Sequence, residues 1–527
     1  MSTLSFSPFF PKPQQVTKTK RLNHTYVPRV SCKATDDTQN PATRRDVLIG
    51  LGGLYSATNL ADRTAYAKPI TSPDLTNCKL VDLPNPENPT DCCSPLPRKI
   101  IDFRPPSPFS PLRTRRAAHL VDEDYVAKYA KAISLMKSLP EDDPRNFYQQ
   151  ANVHCAYCDG KLINDPTFAL PFWNWDSPSG MQMPYIFTDP KSPLYDQFRD
   201  QNHQPPVLLD LDYAAGDPNP TNANQVYSSN LRVMYKQMVS GAAKPTLFFG
   251  KPYRAGDDPR PGAGTIESSP HNNVHRWTGD ATQENTEDMG NFYSAARDPI
   301  FFCHHSNVDR MWTIWKTIPG GLRRDIRDPD WLNSEFLFYN ENAELVRCKV
   351  RDCLDNRRLR YTYQNVEIPW LKSKPIPRRL GKKAAETKTA LTPITAFPLV
   401  LDKTIVTVIS RPKKSRSRKE KEEEDEVLVI EGIEYDNDKF VRFDVFINDD
   451  LEIPSKPENT EFAGSFVNVS HKRAKKSKTR LILGITELLE DLETDGDDSI
   501  VVALVPRSNG VSDPVVISGV KIEFVKD

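Results

Sequence analysis

Four of the nine histidines in this 527-residue chain lie between positions 271 and 305, and their spacing restricts what the chain can fold into. His271-Asn-Asn-Val-His275 places two imidazoles four residues apart, which on a helix puts one a turn above the other on the same face. After a short connection comes Asp298-Pro-Ile-Phe-Phe-Cys-His304-His305-Ser-Asn-Val-Asp309-Arg310, which can bring a further imidazole from a neighbouring helix. Three nitrogens could then converge, and imidazole suits copper, zinc, iron and nickel alike. A His-x3-His pair alone is ordinarily a surface or packed-core feature. The second block shifts that weighting toward a metal site.

Together the blocks resemble the second copper site of the tyrosinase and catechol oxidase family, in its plant polyphenol oxidase form. The resemblance rests on Gly264-Thr-Ile-Glu267, Pro270-His-Asn-Asn-Val-His-Arg-Trp-Thr-Gly279, Asn291-Phe-Tyr-Ser-Ala-Ala-Arg-Asp298 and the run from Asp298 to Asp309. It implies His271, His275 and His305 as copper ligands, with His304 a packed, hydrogen-bonded neighbour that points elsewhere. It also implies that Glu267 orders a water near the metals, Phe292 limits substrate entry, and Asn272 and Arg276 meet the substrate. Asp309 is expected to fix ligand orientation from behind.

The first copper site departs from the family. Asn146-Phe-Tyr-Gln-Gln-Ala-Asn-Val-His154-Cys155-Ala-Tyr-Cys158 matches the opening motif, with His154 as first ligand and Cys158 as the cysteine that the family joins to a histidine by a thioether. Only Asp159-Gly-Lys-Leu-Ile-Asn164 then precedes Asp165-Pro-Thr-Phe-Ala-Leu-Pro-Phe-Trp-Asn-Trp175, another family motif. The family has a long His-bearing helix there. So short a connection can form a loop but not a helix of several turns. The next histidine is His203, and His119 and His203 both lie in ordinary family sequence, so neither is an evident substitute. A real deletion, a skipped exon and a transcript error would each leave this gap. The family holds two coppers per chain; one is expected here.

Lysine plus arginine equals aspartate plus glutamate, 70 against 70, so no basic excess points to nucleic acid. The 46 prolines against 22 glycines favour long ordered loops over an all-helical chain. Residues 1–35 carry basic and hydroxyl side chains without acidic ones, as organellar transit peptides do. Arg44-Arg45, a short apolar run and Ala65-Tyr-Ala67 follow as a second targeting signal, implying passage through the chloroplast to the thylakoid lumen. That run is too short to span a bilayer, and no integral membrane segment is expected. Four cysteines allow three pairings. The resemblance implies Cys78 with Cys93 and Cys92 with Cys155, bridges that require an oxidising compartment.

The expected fold class is α+β and multidomain: a four-helix-bundle copper domain followed by a C-terminal β-sandwich. The boundaries are 1–67 for targeting, 68–325 for the copper domain, 326–370 for a closing region with Asp328-Pro-Asp-Trp-Leu332 and Tyr361-Thr-Tyr363, 371–398 for an exposed linker, and 399–527 for the sandwich. Asp122 to Leu139 has the apolar stripe of a bundle helix, ended by Pro140. Phe168 to Tyr253 reads as loops over the bundle, with aromatics that pack. Ile405–Ile409, Val427–Ile430, Phe440–Ile447 and Ile500–Val505 are β-branched runs. Phe443-Asp-Val445 resembles the family's Lys-Phe-Asp-Val motif, with Arg442 replacing the lysine; the family's C-terminal domain shields its copper site. Lys413 to Glu426, basic and then acidic, reads as a solvated hairpin tip.

The leading function implied is oxidation of o-diphenols to o-quinones by dioxygen at a dicopper site. The alternatives are a non-catalytic copper-binding relative and an oxygen carrier of haemocyanin type. The missing segment favours the copper-binding relative for the literal chain, whereas the targeting signals and C-terminal domain weigh against the carrier.

Overall fold

The helical half starts with α1, Glu123–Lys137, whose ends follow from its sequence. The Asp122 carboxylate caps it by accepting from the Tyr125 N–H at 2.9 Å, a cap that stabilises such a helix by about 1 kcal/mol. Glu123 and Asp124 in the first turn and Lys137 in the last complement the helix dipole. Tyr129, Ala132, Ile133 and Met136 form its buried face. The computed structural model describes residues 68–72, 99–153, 168–214, 220–257, 261–283, 285–378, 391–437, 439–449, 456–469, 476–507 and 515–526. The expected targeting segment 1–67 lies outside them. So do His154, Cys155, Cys158, Cys78, Cys92 and Cys93.

Helix α2, Phe147–Val153, is fixed against the later helices by the Phe147 ring, which meets Phe302 edge-on with centroids 5.9 Å apart. The stretch after Phe168 is largely irregular but tightly packed, with Phe172, Trp173 and Trp175 fully buried. It is not loop throughout. Helix α3, Ala223–Tyr235, occupies part of it, capped by Asn222 and buried through Val226, Asn230, Val233 and Met234. Helices α4, Asn272–Thr278, and α5, Ile300–Trp315, complete the helical core.

Asp176 stitches these parts together. Its carboxylate accepts from Asn307 at 3.0 Å and Arg310 at 2.9 Å, both on α5, and from the Trp370 indole at 2.9 Å. A buried carboxylate with this many donors avoids the desolvation cost of an unpaired charge.

The closing region is sewn to segments that precede α1. Strand β1, Ile100–Asp102, runs parallel to β4, Leu345–Lys349, which pairs antiparallel with β3, Glu335–Tyr339. Strand β2, Arg113–Arg115, runs parallel to β5, Tyr361–Tyr363.

Beyond these strands, two antiparallel sheets face each other across one apolar core. One has the order β10 (Phe462–Val467), β9 (Arg442–Ile447), β12 (Ser499–Pro506), β7 (Ile405–Ser410). The other centres on the 12-residue β8, Asp425–Asp436, paired with β11 (Lys476–Gly484) and β14 (Gly519–Val525), and continues through β13 (Val516–Ile517) to β6 (Leu399–Val400). Leu428 and Ile430 from one sheet and Val445 and Val502 from the other share the core.

The expected hairpin tip is instead a short helix, α6, Arg418–Glu423, with a Ser417–Glu420 capping box. The charges around it are not all solvated. Arg416, Asp425 and Glu426 are buried, and Glu426 pairs with the buried Arg411 at 2.8 Å.

Buried cations join the two halves. The Lys236 ammonium, after α3, donates to the carbonyls of Thr460, at 3.1 Å, and Phe462; burial pulls its pKa down to about 8. Lys244 donates to the carbonyls of Glu423 at 2.9 Å and Val525 at 3.2 Å. Arg442, the residue standing where the family motif has lysine, bonds the Asp212 carboxylate and the Tyr213 carbonyl.

Candidate metal centre

His271 stands at the entry to α4 and His275 one turn on, while His304 and His305 are adjacent on α5. The four rings each offer a nitrogen, and these nitrogens all lie within 4.8 Å of one another. No other group of three or more histidine, cysteine or acidic side chains among the described residues comes together in this way.

Hydrogen bonds orient the rings. His275 turns Nδ1 to the Met289 carbonyl at 2.7 Å, so Nδ1 carries the proton and Nε2 keeps its lone pair. That Nε2 lies 3.2 Å from Nε2 of His305. His271 turns Nδ1 to the Asn272 side-chain oxygen at 2.9 Å, which leaves its Nε2 available in the same way. Fixing one imidazole nitrogen with a carbonyl acceptor is how metal-binding histidines are held in the right tautomer. Burial lowers the His271 pKa to about 4, favouring the neutral ring that a metal requires.

His304 differs. Its Nδ1 accepts the Trp175 indole N–H at 3.0 Å, so the proton of the neutral ring sits on Nε2 and no lone pair remains for a metal. Burial, followed by the neighbouring histidines, holds its pKa well below the usual value. The hydrogen bonds thus leave Nε2 lone pairs on His271 and His275 and none on His304, although His304 does not turn away from the group.

Of the other residues singled out from sequence, Asn272 and Arg276 share α4 with His275, and Glu267 precedes His271 by four residues. Glu267 is largely surrounded by protein while still accessible to solvent, and loss of hydration pushes its carboxyl above the usual range. Phe292 is 53% exposed. Asn272 and Arg276 are buried and already engaged: Asn272 donates to the Val467 carbonyl of β10 at 2.8 Å, and the Arg276 guanidinium lies 4.1 Å from the Phe440 ring centroid. Arg276 also donates to the Thr286 hydroxyl at 2.7 Å and the Gly290 carbonyl at 3.3 Å, fixing the turn just before Phe292. In this structure both side chains meet the C-terminal domain.

Asp309 corrects an expectation. Its carboxylate accepts from the hydroxyls of Tyr361, at 2.6 Å, and Tyr363, with Arg115 at 3.6 Å, so it anchors the closing region to α5. His203 and His119 stay apart from the cluster. His203 bonds the Trp277 carbonyl and stacks on the Trp277 ring. Sequence inspection missed the roles of Trp175, Met289 and Phe440. Trp175 stood in a motif already noted, whereas a main-chain carbonyl such as that of Met289 leaves no residue-type signal.

These features define a class: a protein with a partly buried, hydrogen-bonded histidine cluster of transition-metal donor chemistry in its helical half, which its own β-domain meets through Asn272 and Arg276. Comparison with known proteins gives the family. The common central domain of tyrosinase matches residues 125–318, the polyphenol oxidase middle domain 325–376, and the chloroplastic polyphenol oxidase C-terminal domain 397–524. The chain is 53% identical to a chloroplastic polyphenol oxidase of Malus domestica, covering 99% of this chain and 97% of that protein. It is 50% identical to aureusidin synthase of Antirrhinum majus, covering 94% and 98%. The solved structure of latent apple tyrosinase superposes with a TM-score of 0.76 at 55% identity, covering 81% of this chain and all of that one. The chain belongs to the plant polyphenol oxidase family, whose members are copper oxidoreductases acting on diphenols with dioxygen. Several relatives are named chloroplastic, and no described helix is long and apolar enough to cross a membrane. The Malus alignment runs to 581 positions against a chain of 527 residues, so at least 54 of them have no residue of this chain opposite.

Proposed function

We propose that this chain is a latent catechol oxidase scaffold that holds one copper ion, through His271, His275 and His305, and that as written it does not oxidise o-diphenols. The observation that carries this reading is the donor set: His271 and His275 have Nδ1 tied to an oxygen acceptor, His305 brings Nε2 within 3.2 Å of that of His275, and the fourth ring, His304, has its lone pair taken. Copper, when bound, supplies the redox chemistry that passes electrons from an o-diphenol to dioxygen, giving an o-quinone and water. The chain's own groups do the rest. Asn272 and the Met289 carbonyl hold the imidazoles in register, and Glu267 orders a water at the site. Phe292 limits entry, and Asn272 and Arg276 become available to substrate only when the C-terminal domain is displaced.

A complete family site requires two coppers, because both metals share the electrons delivered to oxygen. His154 alone offers one nitrogen, too few to retain a second ion against water and buffer. The alignment deficit is large enough to contain the His-bearing segment that the motifs on either side of residues 159–164 leave out, and without that segment the Cys158 thiol has no thioether partner. The cysteine pairs Cys78 with Cys93 and Cys92 with Cys155, and residence in the thylakoid lumen, belong to the same reading. So do the boundaries at 67, 325, 370 and 398.

Metal analysis and a catechol assay on the purified chain provide the test. One copper per chain and near-zero catechol oxidation are expected, with activity restored when the family's His-bearing segment is inserted after Cys158. Two coppers per chain with turnover by the unaltered sequence would overturn the proposal.

A further inference from the structure

We propose that Cys348 and Cys353 form a disulfide, a covalent staple across the turn that leads from β4 toward β5. Both residues are thiols in this structure, with their sulfur atoms 3.4 Å apart. A disulfide bond is about 2.05 Å long, so closure draws the two sulfurs together by about 1.4 Å. The turn already brings the ends together. Cys348 is the penultimate residue of β4, and Cys353 follows the helical turn Val350–Asp352, its N–H bonded to the Val350 carbonyl at 3.0 Å. The Lys349 N–H bonds to the Asp352 carboxylate at 3.3 Å, holding the turn between the two sulfurs.

The two thiols are suited to successive steps. Cys348 is 1% exposed and packs with Phe338 and Val346, whereas Cys353 is half-buried and reachable from solvent. The S–H of Cys348 favours the thiolate of Cys353 and lowers its pKa, although burial, Asp352 and Asp309 oppose this. The oxidant is a small-molecule disulfide such as oxidised glutathione. The Cys353 thiolate attacks one of its sulfurs, breaking that S–S bond and releasing one thiol. Cys348, as thiolate, then displaces the second thiol from Cys353. Two protons leave the protein sulfurs, and two electrons end on the small molecule, reduced to two thiols.

The staple tightens the segment that delivers Tyr361 and Tyr363 to Asp309. That carboxylate lies on α5, one turn beyond His305. Cys303, fully buried on α5, is a thiol without a neighbouring cysteine among the described residues, and serves as an internal control.

The experiment equilibrates the full-length protein in glutathione buffers of rising oxidised fraction, then denatures it, alkylates it and digests it with trypsin. Cleavage after Lys349 and Arg351 separates the two cysteines onto different peptides. The expected result is a linked peptide pair, lighter by two hydrogens than its parts, appearing while Cys303 remains alkylated. With Cys348→Ser, Cys353 should carry glutathione instead, because the displacing thiol is gone. Alkylation of both cysteines at every ratio would overturn the proposal. So would glutathione retained on Cys353 in the unaltered chain without any linked pair.

Discussion

The side-chain amide of Asn272 faces two domains at once: its oxygen meets Nδ1 of His271 at 2.9 Å, and its nitrogen donates to the Val467 carbonyl of β10 at 2.8 Å. One residue therefore orients a candidate ligand and ties down the β-domain that covers it. Removing such an orienting partner typically costs about 10- to 100-fold in metal affinity. Asn272→Ala is expected to weaken copper binding by that order, measured by competition with a chelator. Unchanged affinity would mean that the His271 ring is held by packing alone.

The two adjacent histidines of α5 should behave oppositely. His305 presents Nε2 to His275, whereas the lone pair of His304 is occupied by Trp175. His305→Gln should abolish stoichiometric copper. His304→Gln should retain it at a cost in stability of about 1–2 kcal/mol, because the buried indole N–H loses a well-aligned acceptor. Copper content and a denaturation curve on both variants decide the matter, and loss of copper from His304→Gln would make His304 a ligand.

The interdomain linker has a more restricted vulnerable region than its composition suggests. Lys374 pairs with Asp491 at 2.8 Å and Glu487 at 3.2 Å, and the Arg378 N–H bonds to the Glu461 carboxylate at 2.7 Å, so the beginning of the linker is moored to the β-domain. Limited trypsin digestion is expected to cut first between Arg379 and Lys388, and the fragments should stay associated through Lys236, Lys244 and Arg442. First cleavage between 260 and 310, with the linker resistant, would count against the domain boundary at the linker.

Much of this architecture could be read in the sequence, for identifiable reasons. Helix α1 showed its stripe and stop because the apolar spacing and Pro140 act locally, whereas the Asp122 cap was not read from the sequence. The histidine cluster was visible because helical spacing and an adjacent motif fix which rings can meet. Helix α3 was missed because its buried face includes Asn230, whose amide serves the Leu209 carbonyl and the Leu211 N–H rather than extending an apolar stripe. Strand β10 was missed because Phe-Ala-Gly-Ser-Phe-Val has a weak alternation, and all of it is buried between neighbours. The burial of Arg411 and Glu426 could not be foreseen from a charge run, since it depends on two segments meeting in space.

A buried acid pair gives the fold a pH dependence of definite sign. Burial, and next the charge of Asp298, raises the Asp196 pKa to about 6, and Asp288, raised well above its ordinary value by burial, shares a hydrogen bond with it. The folded protein thus keeps a proton that the unfolded chain releases near pH 4. A raised folded-state pKa contributes stability that is fully present below the unfolded value and lost as pH rises through the folded one. The thermal midpoint should therefore carry a downward contribution from about pH 4 to about pH 7. Asp288→Asn supplies an N–H donor to Asp196 without a titrating proton, so it should remove much of that slope and gain on the parent chain as pH rises. Comparing the two proteins by thermal melts across this range cancels the other titrating groups. Parallel curves would show that the pair holds no proton in the folded state.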